Sequence, residues 1–108
     1  MIAKYHKFQC VKASRLWFEA QDGLFIKNLF IISDVYWASG GFFAYKVIGQ
    51  FAKGSVLMVS GISEIDIAKV VPDKNGTMKQ LLIAYTAKRK SDVAPKQRKL
   101  TYRTIRKR

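Results

Sequence analysis

Ten residues near the middle of the chain, YWASGGFFAY at 36–45, constrain the fold more than any other stretch. Val, Ile, Phe, Tyr and Trp are dense on both sides, in LFIKNLFIISDVYW and FFAYKVIGQF, and the glycine pair between them is free to take positive φ. Two β-favouring runs with a loop at Ala38 to Gly41 predict two strands. The same rhythm extends outward. A first strand is expected over Lys7 to Ala20, where KFQCVKASRLWFEA mixes apolar and polar residues, and Gln21-Asp22-Gly23 ends it with an Asp-Gly turn. Beyond Lys53-Gly54, SVLMVSG predicts a fourth strand that continues past Gly61 as ISEIDIAKVV, with the glycine marking a bulge or bend. Ile62, Ile65 and Lys69 leave a helical reading of that continuation open. Pro72-Asp73-Lys74-Asn75-Gly76 predicts an Asn-Gly hairpin turn, and TMKQLLIAYTA the closing strand. The expectation is an all-β protein, a small five-stranded barrel.

A chain of 108 residues suits one modest core, and 49% apolar residues is a globular composition. Residues 1–87 are read as the β domain and 88–108 as a flexible basic C-terminal arm. Lys and Arg number 20 against 7 acids, a net charge of +13. From Lys88 onward ten basic residues face one acid, Asp92, so +9 of that charge lies in the arm. Such a chain implies an anionic partner, nucleic acid or a membrane surface. Membrane binding is disfavoured because the arm has no amphipathic apolar face. The longest apolar run, LFIISDVYW, contains Asp34 and is far below the roughly 20 residues that span a bilayer. MIAKYHKF lacks the apolar segment of a signal peptide, and the lone Cys10 excludes an intramolecular disulfide, so a cytoplasmic, reducing location is expected.

The order of FFAYKVIGQFA, FAKGSVLMVSG and DKNGTMKQLLIAYTA carries a resemblance. A basic residue follows aromatics on one strand, Lys-Gly-Ser opens an apolar strand ending in glycine, and an Asp-Lys-Asn-Gly hairpin leads to a last apolar strand. This resembles the second half of single-stranded-DNA-binding proteins of the OB-fold type, over roughly residues 42–87. The resemblance implies an OB-like barrel that binds single-stranded DNA in replication or recombination. Two departures stand out. Gln50 to Gly54 leaves no room for the helix that bacterial members carry between their third and fourth strands, and TYRTIRKR stands where those members end in an acidic tail. The chain is therefore similar to the compact versions of phages and mobile elements, whose setting is the host cytoplasm.

An OB-type site needs aromatic rings for base stacking and cations along the backbone path. Tyr45 and Lys46 match the family's aromatic-basic pair by position. Strand periodicity puts them on opposite faces, so both reach a ligand only if the strand bends between them. Tyr36 and Trp37 lead into the glycine loop, where a ring can reach solvent. Trp17 is favoured over Phe18 as an exposed ring because Arg15 shares its face. Lys74 and Lys79 would flank the groove at the hairpin, and Lys88, Arg89, Lys90, Arg98, Lys99 and Arg103 in the arm would contact phosphates without sequence preference.

Catalysis finds no support. His6 is the only histidine, the acids are scattered, and neither a phosphate-binding loop nor a nucleophile-base pair is present, so no enzyme activity, metal or cofactor is expected. Glu64 and Asp66 are two carboxylates, too few for a dedicated cation site. Two competing readings remain open: a small phage-type interaction or inhibitor protein docking on an acidic partner, and an RNA-binding β-barrel. Exposed strand edges make a dimer or tetramer plausible.

Overall fold

The computed structural model describes residues 2–51 and 55–89. Its elements run β1 (Cys10–Ala13), α1 (Arg15–Ala20), β2 (Phe30–Ala38), β3 (Phe42–Gln50), β4 (Val56–Ser63) and β5 (Ile67–Val70), followed by a helix over 77–89, α2. The strands form one antiparallel sheet in the order β4-β3-β2-β1-β5. The all-β class with five strands is therefore as expected. The sheet is open, and β4 and β5 are its edges.

Three segments differ from expectation, each for a local reason. The run Lys7 to Ala20 is a strand only over Cys10–Ala13. Ser14 then caps α1, its Oγ accepting from the Trp17 amide at 3.2 Å, and Arg15 pairs with Glu19 one turn on at 2.9 Å. The second strand begins at Phe30 rather than Leu24. Ahead of it, Asn28 turns its amide toward β1, accepting from Ala13 N at 2.7 Å and donating to Ala13 O at 2.9 Å.

The third difference is the largest. Asn75 and Gly76 take the left-handed conformations of an Asn-Gly turn, with φ of 57° and 66°, yet the chain leaves them as a helix and not as a hairpin strand. Asp73 explains this: its two carboxylate oxygens accept from the amides of Met78 at 2.8 Å and Lys79 at 2.9 Å, satisfying donors that open α2. TMKQLLIAYTA is accordingly helical, with Met78 and Leu82 buried and Leu81 and Tyr85 half-buried on one stripe. The barrel lacks its closing strand because that segment lies across the sheet.

The sheet consequently carries a core on each face. On one, Phe30, Ile32, Tyr45, Val47 and Ile62 pack together with Trp17 and Phe18 of α1. On the other, Cys10, Ile31 and Ile48 receive Met78 and Leu82 of α2. Burying those two side chains stabilises the docked helix by roughly 1.5–3 kcal/mol each. Gly49 has a packing reason: a Cβ there would sit 2.6 Å from the Phe30 ring. At Gly61, φ is +81° and the β3–β4 register slips between Tyr45 and Val47, the bulge expected of that glycine. The continuation past it is neither an unbroken strand nor an α-helix. A 3₁₀ turn at Glu64–Asp66 separates β4 from β5, and Asp66 accepts from the amide and hydroxyl of Ser63 at 3.1 Å each.

Candidate nucleic-acid interface

On the α2 side the sheet is bent at Lys46. The β2–β3 register slips between Ile32 and Asp34, and the β3–β4 register slips opposite the same stretch of β3. Lys46 is thus flanked by irregularities in both pairings while keeping the alternation of β3, opposite in face to the buried Tyr45 and Val47, and Ser33, the extra residue on β2, donates from its hydroxyl to Lys46 O at 3.2 Å. Lys46 Nζ lies 5.8 Å from the Tyr36 ring centroid, within cation–π range, and Asp34 is the residue paired across from it.

The N-terminal segment supplies the facing wall. His6 to Gln9 form a turn closed by Gln9 N to His6 O at 3.2 Å and by His6 N to Gln9 Oε1 at 2.9 Å. Phe8 sits in it with φ of +73°, a conformation that a bulky residue rarely adopts. Its amide donates to Ile32 O at 2.8 Å, which ties the turn to β2, while its ring stands 51% exposed. Lys7 Nζ and Lys79 Nζ lie 5.4 and 5.6 Å from that ring's centroid. Between this turn, the bent sheet and α2 is an open cavity of about 540 Å³. Phe8, Met58 and Ile83 form apolar walls there, and Lys7, Asp34 and Lys46 reach its rim.

The expected binding residues divide. Lys46 lines this cavity, Tyr36 stands beside it within cation–π range of Lys46, and Lys79 adjoins it through the Phe8 ring. Tyr45 does not reach solvent, contrary to expectation: it is wholly buried, its hydroxyl accepts from the Tyr5 amide at 3.2 Å, and burial raises its pKa. The strand does not bend enough to show both members of the pair, so Tyr45 is core and Lys46 is groove. Trp17 is not an exposed strand residue. It lies on α1, half-buried, 6.3 Å from Phe25 and 5.7 Å from Phe30 between centroids. Trp37 is 52% exposed but faces the opposite side of the sheet, edge-on to Phe43 at 4.9 Å. It lines a second open cavity, of about 410 Å³, with Phe42, Glu64 and Ile65. Lys74 is exposed in the 3₁₀ turn before α2, and Lys88 and Arg89 are exposed in the last described turn of α2. There the Arg89 guanidinium donates to the Tyr85 hydroxyl at 3.1 Å and lies 5.7 Å from its ring. Lys90, Arg98, Lys99 and Arg103 lie outside the described residues.

Sequence reading missed Lys7 and Phe8. The adjacent basic-aromatic pair was visible, but a turn at the start of the chain carries no period that would mark the ring as exposed. Of the two carboxylates Glu64 and Asp66, Asp66 has a local role, capping the 3₁₀ turn. Among the described residues no group of three or more His, Cys, Asp or Glu side chains is placed to hold a metal, and no helix is long and apolar enough to cross a membrane.

Comparison with protein-family models, with curated proteins and with solved structures finds no match for this chain.

Proposed function

We propose that the protein binds single-stranded nucleic acid, DNA in the first instance, along the groove between the Phe8 turn, the bent sheet and α2. One observation carries the reading: aromatic rings on this side have cations as neighbours, Phe8 with Lys7 and Lys79, Tyr36 with Lys46, and Tyr85 with Arg89. A stacked base needs an accessible π face and its phosphate needs a nearby cation, and the groove offers the two together. The basic residues beyond 89 extend the phosphate contacts without adding sequence preference. Binding of this kind suits protection or presentation of a strand during replication or recombination. The uncharged edge β4, VLMVSGIS, is the place where a second copy would pair.

The test is fluorescence anisotropy of end-labelled oligo(dT), oligo(U) and duplex DNA at several salt concentrations. The proposal expects both single strands to bind more tightly than duplex at equal salt, with the preference lost on Phe8→Ala. Equal affinity for duplex, or no effect of Phe8→Ala, would leave only charge attraction by the basic residues. The apolar cavity at Trp37, Phe42 and Ile65 favours a second reading, a docking module for a protein partner, and that reading takes over if no oligonucleotide binds.

A further inference from the structure

We propose that the cavity beside Phe8 is a nucleobase pocket that favours bases carrying an exocyclic amine, such as cytosine, over thymine and uracil. The inference rests on the single-strand reading above and deepens it. Three properties of the cavity converge. Its size, about 540 Å³, falls in the range of small-ligand pockets and holds a base with room for its sugar. Its walls are a solvent-facing ring and the side chains of Met58 and Ile83, surfaces suited to a flat heterocycle. The Phe8 ring is held at this spot by a backbone conformation with φ of +73° and a 2.8 Å hydrogen bond to β2. Strain of this kind persists only where the surroundings over-determine it, and it is concentrated at ligand sites.

The charged groups around the cavity set the preference. Cationic groups around the cavity, Lys7, Lys46 and Lys79, only donate hydrogen bonds and suit phosphate oxygens and base carbonyls. Asp34 is the single acid lining the cavity and can only accept when ionised. It is exposed, one of its oxygens accepts from the Val35 amide at 3.1 Å, and among the described residues no cation forms an ion pair with it. A carboxylate inside a binding site for a polyanion opposes binding unless it meets a donor on the ligand. Cytosine N4, adenine N6 and guanine N2 are amine donors that project beyond the ring, while thymine and uracil present carbonyls at those positions and keep only an imide N3–H recessed between two carbonyl oxygens that a carboxylate repels.

The experiment is a competition between 12-mers of dC and dT for the full-length protein, repeated with Asp34→Asn and, as a control for charge alone, Asp22→Asn on the turn after α1. The expected result is a preference for oligo(dC) of roughly fivefold or more in the parent protein. Asp34→Asn should reduce that ratio to near one, because an amide also donates, while raising affinity for oligo(dT). Asp22→Asn should leave the ratio unchanged. A ratio of one in the parent protein, or one that Asp34→Asn does not alter, overturns the base preference and leaves strand binding standing. Failure of both oligomers to bind overturns the single-strand reading and this inference with it.

Discussion

Phe8 and Trp37 are almost equally exposed, at 51% and 52%, and they sit in very different company. The Phe8 ring has two lysine ammonium groups within cation–π range and a third lysine on the same cavity. The Trp37 ring is edge-on to Phe43, and the charged residue in its cavity is Glu64. Exposure alone therefore does not select a nucleic-acid-binding ring. Its neighbours do, because stacking without phosphate neutralisation leaves the polyanion's charge unmet.

The contrast can be broken most forcefully at α2. Leu82→Ala should cost about 2–5 kcal/mol of folding stability and strip the groove of the helix that walls it, leaving the Trp37 cavity untouched. Denaturant titration alongside oligo(dT) binding checks this, and unchanged affinity in the folded variant would place the interface elsewhere. A triple change of Lys7, Lys46 and Lys79 to Gln comes next. The slope of log K against log salt should flatten by about 2, at roughly 0.7 for each single-strand phosphate deprived of its lysine, whereas Glu64→Gln should leave it unchanged. Phe8→Ala should weaken binding by about 1–3 kcal/mol, and Trp37→Ala should do so by less than roughly a third of that. The reverse order would move the interface to the β2–β3 loop.

The finest distinction uses Cys10, which lies beneath α2 beside Met78 and Leu82. Burial pushes its thiol pKa up from 9.0 to about 11, with Asp73 adding to the effect. The folded state thus holds this proton more tightly than the unfolded state. Its contribution to stability is present in full below pH 9 and is lost between pH 9 and 11. Alkylation at about pH 8 should be slow and should report undocking of α2. A bound oligonucleotide should slow it further, while a ligand seated at Trp37 should not.

Much of the sheet was legible because its signals are local. The glycine loop with its flanking strands, the Asp-Gly turn at Asp22 and Gly23, and the Gly61 bulge each depend on a few adjacent residues, and each is found where expected. Lys46 was singled out by its place next to an aromatic on β3 and lines the cavity, whereas Lys79 was placed beside a hairpin that is a helix in the structure and comes near the cavity only through the Phe8 ring. What failed was inference from one local signal to the next element. Asn75-Gly76 has the turn geometry that its residues favour, and the segment after it still became a helix. Met78, Leu81, Leu82 and Tyr85 carry a helical period that a strand assignment overlooks.

By itself, then, the amino-acid sequence determined the β-rich core, the places where the chain turns and the excess of positive charge, all set by residue type and near neighbours. Only the tertiary structure decided which rings face water. Tyr45 went inside because its face of β3 meets Tyr5 and Ile62, and Phe8 stayed outside because a strained turn hydrogen-bonded to β2 holds it there. Lys46, Phe8 and Lys79 are far apart along the chain, and the docking of α2 through Met78 and Leu82 makes them one surface.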